Sequence, residues 1–190
     1  SASGVLNHTG LWASEYGYDS DSRNGVGERT QNAYLLRGLL LHSRYHFEKV
    51  FFYNAFDHFR LNDPNYGSLY GSSGFWRLGT EPSNSNWPSP LEANGASPKP
   101  AWFGMLDFKA RFGEHVFRKA LLEDADAFVF LISKPDGSEP YLLVWSPQKT
   151  DDSNINEDIT VNKLLDWSGL LPGAYWMESS SAQTFAESAT

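Results

Sequence analysis

The sequence predicts an α/β region over residues 1–113, followed by an antiparallel all-β region over 114–190, read as a β-sandwich. Two observations carry this division. Up to about residue 112 the apolar runs alternate in the order strand, helix, strand, helix, and both strands end in polar groups. Beyond residue 114, short apolar runs are separated by turn sequences.

The first strand is read from Leu11-Trp12-Ala13-Ser14-Glu15, ended by Gly17. Simple alternation places Leu11, Ala13 and Glu15 on one face and Trp12 and Ser14 on the other. A strand that packs a core and presents a carboxylate at its C-terminal end is typical of catalytic strands in (β/α)8 barrels. A polar loop, Asp19 to Gly27, leads to a helix over Glu28 to Leu41. There Ala33, Leu36, Leu39 and Leu40 form one apolar stripe, and Glu28 lies in the first turn, where the helix dipole favours it. Lys49 to Asp57 is apolar on both faces and turns polar only at its end, as in a parallel strand sandwiched between layers. After a long loop, Lys99 to Phe112 ends in a second helix, with Pro100 at or near its first turn.

These motifs resemble clan A glycoside hydrolases, a (β/α)8-barrel group. Leu11-Trp12-Ala13-Ser14-Glu15-Tyr16-Gly17 is similar to the seventh-strand motif, in which Thr or Ser precedes a Glu followed by a large residue and Gly. Lys49 to Asp57 resembles the eighth strand, and Pro98-Lys99-Pro100-Ala101-Trp102 the entry to the last barrel helix. The resemblance covers roughly residues 5–112. It implies the last two βα units of a barrel plus an accessory β-sandwich, and a retaining glycosidase with Glu15 as nucleophile. A second carboxylic acid about 5–5.5 Å away would protonate the leaving oxygen and then activate water. In the clan that acid follows an Asn at the end of the fourth strand; the only Asn-Glu of this chain, Asn156-Glu157, lies in a polar acidic loop. A barrel needs ~250 residues, so the expected partners are a carbohydrate substrate and either a missing N-terminal barrel segment or copies of the chain itself. The isolated chain is expected to be inactive.

Around Glu15, the residues expected to meet substrate are Tyr16 and Tyr18 in the following loop, Asp57 and His58 at the end of the second strand, and Tyr53 or Asn54. Period 2 lets only one of the last two face the barrel interior. The stretch from His58 to Pro98 is far longer than the ~2–6 residues of an ordinary barrel connection. Disordered tracts are poor in aromatics, whereas this one holds Tyr66, Tyr70, Phe75, Trp76 and Trp87. It is therefore expected to be ordered over the barrel mouth, with Trp76 and Trp87 as sugar platforms.

In the second region, Ala127 to Ser133 and Tyr141 to Ser146 flank the turn sequence Pro135-Asp136-Gly137-Ser138-Glu139 and predict a hairpin. Further strands are expected at Ile159 to Val161 and Ala174 to Glu178. Phe128, Phe130 and Trp145 sit inside apolar strands, so core burial and a buttressing role are expected of them.

Composition narrows the function classes. Aromatic content of 15% suits both folded cores and sugar-stacking surfaces, because pyranose rings present an apolar face. A net charge of −8 without any Lys/Arg-rich stretch argues against nucleic-acid binding. No apolar stretch approaches ~18 residues, so no membrane span is expected. The absence of Cys excludes a disulfide framework and thiolate metal sites. No signal peptide is read at the N-terminus, and the expected location is secreted or periplasmic. Asp19-Ser20-Asp21-Ser22-Arg23-Asn24-Gly25 has alternating oxygen ligands but no closing Glu at calcium-loop spacing, and His42 and His46 lack the zincin Glu. No metal and no cofactor is expected. Neither a phosphate-binding glycine loop nor a Gly-x-Ser-x-Gly elbow is present. The competing reading is a non-catalytic carbohydrate-binding or assembly module, in which Glu15 is an unreactive strand-end residue.

Overall fold

The computed structural model describes residues 10–21, 25–60, 63–79 and 95–147. Trp87, Asn156-Glu157 and the strands expected at Ile159 to Val161 and Ala174 to Glu178 lie outside them. The architecture is mixed α/β, with three small sheets and two helices. Among the described residues no barrel forms, and the all-β region shows a single three-stranded sheet.

Strand β1, Leu11–Tyr16, runs parallel to β2, Phe47–Phe52, and helix α1, Glu28–Arg44, connects them. This is the expected βα unit, with one correction to its geometry. Ala13 pairs with Val50 but Tyr16 pairs with Phe52, so Ser14 and Glu15 together oppose the single residue Phe51. The extra residue breaks the alternation read from the sequence. Trp12 lies against Phe51 (centroids 6.2 Å apart) and Lys49 (4.2 Å), whereas Tyr16 lies against Phe52 (6.0 Å). Phe51 and Phe52 occupy opposite faces of β2, so Trp12 and Tyr16, four residues apart, do too. Glu15 therefore leaves the line expected through Leu11 and Ala13.

The buried line of α1 is Gln31, Leu35 and Gly38 rather than the stripe through Ala33, Leu36, Leu39 and Leu40. Tyr16 explains the difference. Its ring crosses the helix so closely that a Cβ on Gly38 would lie 1.6 Å from the phenol oxygen. Only a glycine gives that approach. His42 follows one turn later, its Nδ1 2.7 Å from the Gly38 carbonyl, and its ring stands edge-on to Tyr16 and Phe47. Glu28 does open α1, and its carboxylate is held by the guanidinium of Arg77.

The run from Lys49 to Asp57 is not one strand. It ends as β2 at Phe52 and resumes as β3, Phe56–Arg60, which pairs in parallel with β4, Trp76–Leu78. Backbone groups at the joint are taken by neighbours: the Tyr53 N–H donates to Tyr16 O (2.9 Å) and the Asn54 N–H to Ser73 O (3.2 Å). Asn54 O accepts from the Phe75 N–H (3.1 Å). The Tyr53–Asn54 peptide is cis. Strand β5, Ser97–Pro98, adds antiparallel to β4. Part of the long connection is thus a sheet of its own.

Helix α2, Pro100–Phe112, has Pro in its first turn and packs on α1, with Ala101 fully buried and Trp102 against Phe75 and Trp76. Strands β6 (Val116–Glu123), β7 (Phe128–Ser133) and β8 (Tyr141–Trp145) then form an antiparallel meander. The expected hairpin is present, and Gly137 closes its turn at φ +87°, a backbone conformation open to glycine. Phe130 is buried between Trp145 (4.7 Å) and Phe117 (5.2 Å), whereas Phe128 and Trp145 are only half-buried around it. Strand β6 has no counterpart in the sequence reading. Residues such as Arg118, Lys119, Ala120 and Leu121 favour helices, and pairing along β7 overrides that preference.

Candidate active site

The parallel β1–β2 pair brings two strand C-termini together, and the segments following them supply the site. Glu15 is exposed there, and its carboxylate makes no hydrogen bond or ion pair among the described residues. The Tyr53 N–H, bonded to Tyr16 O, fixes the end of β2 one residue along from it. The Tyr53 hydroxyl and His58 Nε2 are 3.0 Å apart, and their rings stand edge-to-face at 5.6 Å. The ring of Tyr70 also meets Tyr53 edge-on, at 5.5 Å.

Tyr16 and Tyr18 do not line this rim. The Tyr16 hydroxyl donates to Tyr34 O in α1 (2.8 Å), and burial holds its phenol far above the ordinary tyrosine range. Tyr18 packs edge-on against Tyr16 (5.6 Å) and Tyr34 (5.2 Å), and its carbonyl accepts from Gln31 Nε2 (2.8 Å). The extra residue before Tyr16 turns this ring pair into the helix layer. Asn54 accepts the Phe56 N–H on Oδ1 (3.0 Å), a local turn bond. Trp76 is half-buried in β4 with its ring 5.6 Å from Trp102, so it joins the inner layer instead of standing as an open platform.

Asp57 faces inward, 2% exposed. Its Oδ1 accepts from the fully buried Lys99 (2.5 Å) and the Gly74 N–H (2.9 Å), and its Oδ2 accepts from the Tyr66 hydroxyl (3.1 Å). Lys99 spends its other two protons on Ser20 Oγ (2.9 Å) and Ser72 O (2.8 Å). Burial pushes Asp57 up and Lys99 down from their ordinary values, and each charge opposes the shift of the other. One ammonium thereby ties together the loop after β1, strand β3, the 72–74 loop and the entrance to α2. Next to this knot, Asp19 accepts the Tyr70 N–H on Oδ2 (2.8 Å) and the Ser72 N–H on Oδ1 (3.2 Å).

Sequence reading missed Lys99, Ser20, Ser72, Asp19 and Tyr70. Only Lys99 carried a signal, as the one charged residue between two prolines at a helix entrance. Its partner stands 42 positions away.

Chemically, the arrangement offers one unpaired exposed carboxylate at a strand end, a hydrogen-bonded Tyr–His pair beside it, and an aromatic wall. Asp19 in the neighbouring loop and Asp57 in the neighbouring strand are both committed to internal bonds. No group of three or more metal-ligating side chains occurs among the described residues. No family model, curated protein or solved structure matches the chain.

Proposed function

We propose that the chain carries the nucleophile of a retaining glycoside hydrolase acting on a polysaccharide or oligosaccharide. The observation that carries this reading is the setting of Glu15: an exposed, unpaired carboxylate at the C-terminal end of a parallel strand in a βα unit. Such a carboxylate attacks the anomeric carbon, the bond to the leaving oxygen breaks, and a covalent glycosyl-enzyme forms. An acid must protonate the leaving oxygen and later take a proton from water. Asp19 and Asp57 are occupied by internal bonds and supply no such acid. Tyr53 and His58, hydrogen-bonded to each other, would meet hydroxyls of the bound sugar.

The natural protein that contains this chain tests the reading. Incubation with 2-deoxy-2-fluoro aryl glycosides of several sugar configurations should trap a glycosyl ester, and peptide mass mapping should locate it on Glu15. Glu15→Gln should retain the fold and lose at least about 10³-fold in turnover, about 4 kcal/mol of transition-state stabilisation. Full turnover by folded Glu15→Gln would refute the assignment.

A further inference from the structure

Tyr70 is held in a conformation that its own chemistry disfavours. Its φ is +65°, a left-handed backbone that a bulky side chain rarely adopts, and the residue remains 51% exposed. Two contacts fix the residue there: the Asp19 carboxylate takes its N–H, and its carbonyl accepts from the Ser73 hydroxyl (3.3 Å). Burial cannot be what this conformation achieves, since Leu69 beside it is also 70% exposed. What it does achieve is to set the Tyr70 ring edge-on to Tyr53, whose hydroxyl pairs with His58 and whose N–H bonds the end of β1.

We propose that Tyr70 is a sugar platform: a preformed subsite one ring removed from Tyr53, with Asp19 as the positioning residue that holds it. An aromatic face suits the apolar C–H face of a pyranose, and a hydroxyl–imidazole pair suits its polar edge. The site rests on the hydrolase reading above and deepens it, because a platform beyond Tyr53 serves a sugar other than the one bonded to Glu15. The substrate class is then a chain of at least two pyranoses, bound across the rim formed by the loops after β1 and β3. Holding the ring in place beforehand removes part of the ordering cost of binding.

The test uses the natural protein in a Glu15→Gln background, so that bound polysaccharide is not cleaved. Native gels containing xylan, mixed-linkage β-glucan, galactomannan or starch report binding as retarded migration. Retardation by at least one polysaccharide is expected, weakened about tenfold by Tyr70→Ala and preserved by Tyr70→Phe, which keeps the ring. Asp19→Ala should weaken binding by a similar factor, and combining it with Tyr70→Ala should add little, because Asp19 acts through Tyr70. Retardation by none of the four, or unchanged retardation of Tyr70→Ala, would overturn the subsite. Retardation that depends on Tyr70, together with turnover that does not depend on Glu15, would refute the hydrolase reading and leave the subsite standing.

Discussion

Replacing Lys99 by Met removes the charge of the buried knot while keeping most of its aliphatic stem. The lysine and aspartate side chains are both fully buried, and the ammonium makes three hydrogen bonds. Breaking a buried pair from one side typically costs about 3–5 kcal/mol, mostly because the other charge is left uncompensated. Asp57 keeps the Gly74 amide and the Tyr66 hydroxyl, which favours the lower end, about 3 kcal/mol. For a chain of 190 residues, at about 2–4 °C per kcal/mol, Tm should fall by about 6–12 °C. The variant also has a pH signature. Burial already pushes Asp57 up, and loss of the cation pushes it further. A carboxyl whose folded value is raised binds its proton more tightly when folded. The folded state therefore gains stability as pH falls through that value and loses it as pH rises. The deficit of Lys99→Met should accordingly shrink between about pH 7 and about pH 5. Urea unfolding of the intact protein, followed by tryptophan fluorescence at both pH values, measures this. Lys99→Met/Asp57→Leu should recover much of the loss at neutral pH and abolish the pH dependence. A single variant within about 1 kcal/mol of the parent would refute the reasoning, as would a deficit that grows on acidification.

Gly38→Ala should destabilise by about 1–2 kcal/mol, since a Cβ collides with the Tyr16 hydroxyl and overpacking outweighs the ~1 kcal/mol gained in helix propensity; a rise in the urea midpoint would contradict the packing described. Burial raises the phenols of Tyr16 and Tyr66. The unfolded chain therefore loses those protons first, and stability should decline as pH rises above about 10. Alkaline difference spectroscopy should show these two phenolates appearing only with unfolding, and Tyr16→Phe should delete one of them; their titration in the folded protein would count against burial.

Local signals were legible where a local rule decides the structure. Glu28 and Pro100 mark helix starts, and Pro135 to Glu139 a turn, whatever the rest of the chain does. The stripe on α1 was misread because one tyrosine from another element selects Gly38, and no helical periodicity contains that tyrosine. The break at Tyr53 is invisible in a continuous apolar run, since the carbonyls that receive its amides come from Tyr16 and Ser73. Strand β6 is written in helix-forming residues and exists because β7 offers it a ladder. Of the candidate site, the carboxylate was readable from a strand end; Tyr53 stood as an alternative to Asn54, and its bond to His58 was not readable. The Asp57–Lys99 knot and the Asp19–Tyr70 clamp join distant positions by side-chain bonds that leave no pattern along the chain.

The antiparallel pairing of Trp76 with Pro98 and Arg77 with Ser97 has a consequence for how this protein can vary. The chain leaves the small sheet and re-enters it at adjacent rungs, so the intervening segment is closed at its base whatever its length. Closure entropy grows only logarithmically, and doubling such a segment costs about 0.6 kcal/mol. That is small beside the cost of disturbing the Lys99 knot a residue away. Homologous chains should therefore differ most in length between Leu78 and Ser97, and a foreign peptide inserted there should leave the Tyr53–Tyr70 rim where it is.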